Sequence, residues 1–409
     1  MTFDRETLER GPARIDPKSF VFTILLGLYA ALPALSVDVS APTLALLPGA
    51  LGTTRTLAGL TLSLFMVGFA LGQLGAGGIS DRRGRRPMLL AGLTCFSASG
   101  IACALCWSGG MLVVFRFIQG LGAGACFVVS FAMVQDLFEG DAARAKRSYV
   151  TVIFGAVPIL APALGAGMIG WFGWRSVHWL LALAGALLLA VTWAGIAESK
   201  TPERTTSPRV RKSDRGPLWR DTTFVRITIA NALSYGAIFA YIAGSPVVII
   251  GIMGLSTAVF AAVFASTAAA LSMGAWTSGM LSRRGATASA LVNPSLIVAA
   301  AASLVLAATS LSGITSGIVL IPLLLAVLFT RGIIAPNLQH LAIERQRERA
   351  GTASAAVGVS QLLSGALASA AVAFLLQLFG PGAVAAIMAL LAIGALTTWR
   401  WTGSRGEDR

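Results

Sequence analysis

Ionisable side chains are scarce in this sequence: of 409 residues only 12% are Asp, Glu, Lys or Arg, and 17 of these are acidic. So few charges cannot cover a globular surface of this size, which excludes a water-soluble chain, while 56% hydrophobic residues exclude disorder. All four cysteines, Cys95, Cys103, Cys106 and Cys126, lie inside apolar runs, which argues against a disulfide framework. Cys103 and Cys106 have Cys-x-x-Cys spacing, but no second pair or nearby histidine completes a metal site, so they are read as helix-packing residues. A Walker-type Gly-x-x-x-x-Gly-Lys is missing, as are His-Glu-x-x-His and a well-placed Gly-x-Ser-x-Gly, which argues against an ATPase or a membrane enzyme. The lack of any soluble domain argues against a sensor.

What the chain has is long apolar runs. Because a helix rises about 1.5 Å per residue and the hydrocarbon core is about 30 Å thick, a span needs roughly 20 such residues. Twelve runs qualify, over 19–44, 56–80, 87–107, 110–137, 147–170, 176–197, 223–245, 256–281, 287–309, 315–341, 351–378 and 383–402. The expected fold is all-α: twelve transmembrane helices in two six-helix bundles, 19–197 and 223–402. A 198–222 linker rich in Pro and Arg joins them, with tails at 1–18 and 403–409. The acidic-and-basic first tail, with no cleavage-like small-residue site beyond it, reads as a retained tail followed by a first span.

The net charge of +14 sits in clusters between the runs, a loop pattern that argues against nucleic-acid binding. Arg116 and Arg331 lie within spans and Arg55 and Arg175 in odd-numbered loops; the other basic residues lie in or beside the tails and even-numbered loops. The positive-inside bias therefore puts both termini in the cytoplasm. Gly78-Ile79-Ser80-Asp81-Arg82-Arg83-Gly84 after the second run recurs as Gly279-Met280-Leu281-Ser282-Arg283-Arg284-Gly285, 201 residues later, after the eighth. Two parallel six-helix repeats are an architecture of secondary transporters, with the substrate site between the halves near the midplane.

Gly77 to Pro87, with Asp81 and Arg85 inside it, resembles the signature loop of the major facilitator superfamily. Arg116-Phe117-Ile118-Gln119-Gly120 resembles its fourth-helix motif, and Gly155 to Gly167, with Pro158, Pro162 and Gly165, its fifth-helix antiporter motif, though without the usual Gly-Pro pair. Within that superfamily Asp38-Val39-Ser40-Ala41-Pro42, Gly173-Trp174-Arg175, Tyr241 with Ser245-Pro246, and Pro336-Asn337 are similar to the bicyclomycin-resistance and phenicol-exporter branch of drug:proton antiporters. The resemblance implies a multi-pass protein of a bacterial inner membrane, a monomer without cofactors. It would exchange H⁺ for a small amphiphilic drug or metabolite by alternating access. A metabolite exporter or a proton symporter on the same fold is the alternative.

Asp38 is the one acidic residue near the middle of an expected span, where a charge costs about 2.5 to 3.5 kcal/mol on insertion scales. A carboxyl at that depth needs a use or a partner, and it is the candidate proton carrier and substrate contact. Arg116 is the expected neighbouring cation; the resemblance gives it a part in proton release, against the plainer reading of an arginine held by carbonyls of the first helix. The resemblance also implies a gate at the cytoplasmic face, where Asp81 would cap the eleventh helix near Gly351 and Thr352, with Arg85 and Asp136. Gly77 and Gly84 there allow close backbone approach, and Arg82 and Arg86 either join that gate or do no more than satisfy the positive-inside bias. Pro158, Pro162 and Gly165 belong to a bent, closely packed fifth helix. Tyr235, Tyr241, Asn231 and Gln361 are polar groups that a cavity between the halves could use. Arg331 either lines that cavity, attracting an electronegative or anionic substrate, or anchors at the interface. His178 and His340, near helix ends, are read as interfacial.

Overall fold

A computed structural model describes residues 15–199, 218–313, 316–346 and 349–403. The expected tails and linker therefore lie mostly outside the described residues. Among those described, twelve helices are long and apolar enough to cross a membrane. They are α1 (Phe20–Ser40), α2 (Arg55–Arg83), α3 (Arg85–Leu105), α4 (Gly109–Leu137), α5 (Gly140–Phe172) and α6 (Arg175–Gly195), then α7 (Thr222–Pro246), α8 (Thr257–Arg283), α9 (Ala288–Leu311), α10 (Gly317–Arg345), α11 (Ala350–Phe379) and α12 (Gly382–Gly403). The expected runs differ most from these helices at the start of α5, which begins at Gly140 and not at 147, and at the end of α7, which Val247–Ile252 prolongs as a π-helix. Several starts are set by a side chain that accepts from the orphan N–H three residues on: Ser19 from Phe22, Thr54 from Leu57, Ser108 from Met111, Asp221 from Phe224 and Ser256 from Val259. Trp107, Trp171, Trp193, Trp219 and Trp401, all exposed, stand at or just beyond helix ends, the belt expected at a bilayer surface.

The helices pack as two bundles, α1–α6 and α7–α12, and the sequence repeat becomes a packing repeat. The pairs α2–α4, α3–α4, α1–α5 and α3–α6 recur as α8–α10, α9–α10, α7–α11 and α9–α12. Glycine explains the first of these. A Cβ on Gly124 would collide with the Phe69 carbonyl and lie 2.7 Å from the Gln73 nitrogen. One on Gly332 would meet the Leu271 carbonyl and lie 2.7 Å from the Ala275 nitrogen. Each half thus lets two backbones touch at the same crossing, and small residues are what permit it.

Between the halves, α2 packs on α11 and α5 on α8, contacts that the repeat also relates. Both described chain ends lie on one face of the bundle. Ile15 N–H donates to the Gly195 carbonyl at 2.9 Å, and Arg226 to the Trp401 carbonyl at 2.8 Å. The halves close on the opposite face, where Thr56 Oγ1 donates to the Ala373 carbonyl at 3.0 Å and Gly251 approaches Ala45. Towards the terminus-bearing face they part: Gly77 and Gly78 of α2, Gly155 of α5, and Gly351 and Gly358 of α11 all face open space.

Candidate functional site

Where the halves close, a cavity of about 220 Å³ remains, walled by Asp38, Phe65, Phe69, Phe154 and Pro158 from one half and by Tyr235, Phe239, Tyr241, Phe264 and Leu362 from the other. Its surface is almost wholly apolar, and Asp38 is the one acidic side chain in it. That carboxyl is 4% exposed and makes no hydrogen bond or ion pair among the described residues.

Arg116, 2% exposed, does not pair with it. Nη1 donates to Ser36 Oγ at 2.7 Å and Gln119 Oε1 at 2.9 Å, and Nη2 to Ser40 Oγ at 3.0 Å and the Ser36 carbonyl at 3.3 Å. The guanidinium also stands over the Phe65 ring, 4.5 Å from its centroid, so that ring separates it from the cavity. This corrects the expectation of a carboxyl beside a fixed cation, and helical geometry gives the reason. At 3.6 residues per turn, positions two apart point to roughly opposite sides. Ser36 and Ser40, flanking Asp38 by two residues each way, turn towards Arg116 while Asp38 turns to the cavity. Of α1, Arg116 takes one carbonyl and two hydroxyls, where the plainer reading expected carbonyls alone. Ser36, Ser40 and Gln119 were not singled out from sequence, although Gln119 follows Arg116 by one turn and the two serines bracket Asp38.

The second half supplies a different cation. Arg331, midway along α10, is 4% exposed and therefore not an interfacial anchor. Its Nη1 donates to Asn231 Oδ1 at 3.0 Å, and its guanidinium lies 5.7 Å from the Tyr235 centroid. Tyr235 packs on Phe239 with centroids 4.8 Å apart. Tyr241 stacks on Phe264 at 5.8 Å, its hydroxyl 3.2 Å from Thr267 Oγ1. Gln361, Arg331 and Asn231 are not among the residues that line this cavity, whereas their neighbours Leu362, Leu328 and Tyr235 are. His178 is also placed differently from expectation: it is 2% exposed, edge-on to Trp174 at 5.9 Å, because α6 turns it inward. His340 is exposed and pairs with Glu344 at 3.4 Å.

At the terminus-bearing face, Arg85 gathers three partners: Asp81 at 2.7 Å, Asp136 at 2.8 Å and Ser80 Oγ at 2.7 Å. Gly84, with φ of 100°, makes the turn between α2 and α3 that L side chains disfavour. Glu198 then caps α3, its oxygens accepting from Arg85 N–H at 2.8 Å and Arg86 N–H at 3.1 Å. A carboxylate suits a helix N-terminus, yet nothing in the sequence separates Glu198 from the linker. Arg86 donates to the Trp193 carbonyl at 2.7 Å, and Arg82 is exposed. The side chain of Asp81 is 61% exposed, and Gly351 and Thr352 are exposed. Gly77 makes no close approach, because the halves are apart there. Pro158 lines the cavity, Pro162 is buried, and Gly165 lies against the Val39 backbone of α1.

The chain matches the model of the Major Facilitator Superfamily over residues 26–369. It is 30% identical over 349 residues to the uncharacterized MFS-type transporter YdgK of Bacillus subtilis, covering 84% of this chain and 86% of that protein. It is 33% identical over 210 residues to the multidrug resistance protein MdtL of Escherichia coli, a match that spans 51% of this chain and 53% of that protein. In fold it is similar to a D-xylose-proton symporter, with a TM-score of 0.75 at 18% identity over 93% of this chain and 98% of that one. A bacterial homologue of the human lysosomal transporter Spinster, in an inward-facing and occupied conformation, gives 0.72 at 16% identity over 95% and 96%. With twelve apolar helices in two repeated bundles, a cavity between them and a family match across most of its length, this chain is a multi-pass membrane transporter that belongs to the Major Facilitator Superfamily.

Proposed function

We propose that this transporter is a proton-coupled efflux antiporter of a bacterial inner membrane, with both termini cytoplasmic. In that orientation the structure is the cytoplasm-facing state. It expels a small amphiphilic compound, phenicol-like, bicyclomycin-like or broader, as H⁺ enters. The observation that carries this reading is Asp38: a buried carboxyl on the wall of the cavity between the halves, with no partner among the described residues. An unpaired charge in apolar surroundings is expensive, and a neutral acid is not. Such a group is free to take a proton in one state and give it up in another without breaking a bond first.

Arg116 acts on this as a positioning residue. By holding Ser36 and Ser40 it sets the rotation of α1, and so the side to which Asp38 turns. The aromatic walls, with Tyr235 and Tyr241, suit the apolar body of a drug-like compound. In the opposite state, with the cytoplasmic ends closed, Asp81 would leave Arg85 for the first turn of α11, where unpaired N–H groups favour a carboxylate. The partial similarity to MdtL supports a drug as cargo.

The test is proton release on binding. Purified protein in weakly buffered detergent, titrated with a bound drug, releases H⁺ to a pH indicator dye; Asp38→Asn binds the drug and releases none. Release undiminished in that variant would remove Asp38 from the exchange.

A further inference from the structure

The membrane interior of this protein is electropositive. Among the described residues the buried charged side chains are Asp38, Arg85, Arg116 and Arg331. Arg85 lies at the terminus-bearing face and is paired with two carboxylates. Arg116 spends its donors on hydroxyls, an amide oxygen and a carbonyl. Arg331 is different. A guanidinium carries five N–H donors in a rigid fork and stays charged. Among the described residues it makes one hydrogen bond, to the neutral Asn231, and touches one ring, that of Tyr235, with no carboxylate in reach. Asn231 Nδ2 beside it is buried and unpartnered as well.

This cluster adjoins the cavity. Tyr235 belongs to the cavity wall, and so does Leu328, one turn before Arg331 on α10. Asn231 lies one turn from Tyr235 on α7, and it and Arg331 are buried directly behind that wall residue.

We infer that Arg331, with Asn231 and Tyr235, forms the polar subsite of the transport cavity and selects compounds whose polar end is an anion or a strong acceptor such as a nitro group, against amines and other cations. This rests on the cavity being the substrate site. The fork matches a carboxylate or nitro group with two parallel hydrogen bonds, Asn231 Nδ2 offers a further donor, and the apolar body extends towards Phe239 and Phe264. A cationic ligand meets the fixed charge of Arg331, which no carboxylate pairs among the described residues.

Isothermal titration of purified protein with three probes that share one body, 4-butylbenzoate, 4-butylnitrobenzene and 4-butylbenzylammonium, tests this without any gradient. The benzoate is expected to bind at least tenfold more tightly than the ammonium, with the nitro compound between. Arg331→Gln should abolish that order and Arg331→Lys restore part of it. Asn231→Leu, which keeps the charge, should weaken the benzoate severalfold and provides the localising variant should Arg331→Gln not fold. An ammonium probe that binds as tightly as the benzoate, or a benzoate affinity unchanged in both Arg331→Gln and Asn231→Leu, overturns the subsite. A ranking that holds in a protein showing no proton exchange defeats the antiport reading alone.

Discussion

Replacing Asp38 with Asn keeps the side-chain volume and removes the proton site, and the structure predicts opposite results for stability and for coupling. Breaking a buried ion pair costs about 3–5 kcal/mol, because the abandoned partner is left charged and dry. Asp38 has no such partner here, so thermal unfolding of Asp38→Asn in detergent should stay within about 1 kcal/mol of wild type, the centre of the range for single substitutions. Coupling is another matter. A proton crossing about 100 mV gives roughly 2.3 kcal/mol, and each pH unit gives about 1.4 more. With both, a one-proton exchanger sustains a concentration ratio of roughly 500, at tenfold per 1.36 kcal/mol. Without the carrier that ratio falls to about one. Proteoliposomes loaded with drug and given an acid-inside or acid-outside jump measure this directly. Drug–drug counterflow, which needs no proton, reports whether the cavity still binds and alternates. Wild-type stability with counterflow kept and uphill movement gone is the expected set. Uphill movement near the wild-type ratio refutes the carrier, and a loss of 3–5 kcal/mol reveals a partner and refutes the unpaired carboxyl.

Other perturbations separate the remaining contacts. Arg116→Lys keeps the charge but cannot span Ser36, Ser40 and Gln119 with one nitrogen, so transport should fall at least tenfold while drug affinity changes little; equal turnover removes the fork from the mechanism. Gly124→Val and Gly332→Val should each prevent folded protein from reaching the membrane, because the Cβ would strike backbone across the α2–α4 or α8–α10 crossing, whereas Gly155→Ala, facing open space, should be tolerated; membrane abundance by fluorescence of a fused reporter decides. Glu198→Ala removes the cap of α3, with an expected loss of about 0.5–2 kcal/mol by thermal unfolding. Thr56→Cys with Ala373→Cys should cross-link under mild oxidation and stop transport until reduced, since those residues touch where the halves close; free turnover of the oxidised pair would contradict that closed end.

Much of this protein is decided by one-dimensional pattern. The bilayer asks every span for about 20 apolar residues, so the twelve runs and the division between 197 and 223 are legible without any tertiary contact. The loop repeat already announces the paired helix crossings. Asp38, Arg116 and Arg331 stand out for the same reason, as charges where charge is expensive. Which of them meet is decided by rotation about helix axes and by contacts between segments far apart in sequence. Asp38 and Ser36 differ by two positions, yet one faces the cavity and the other Arg116. Arg331 finds Asn231 a hundred residues away, and Glu198, indistinguishable from its linker neighbours in the chain, becomes a helix cap only once α6 ends beside α3. Hydrophobic length is a local property that sequence alone carries; the pairing of buried polar groups depends on three-dimensional packing, and only the tertiary structure supplies it.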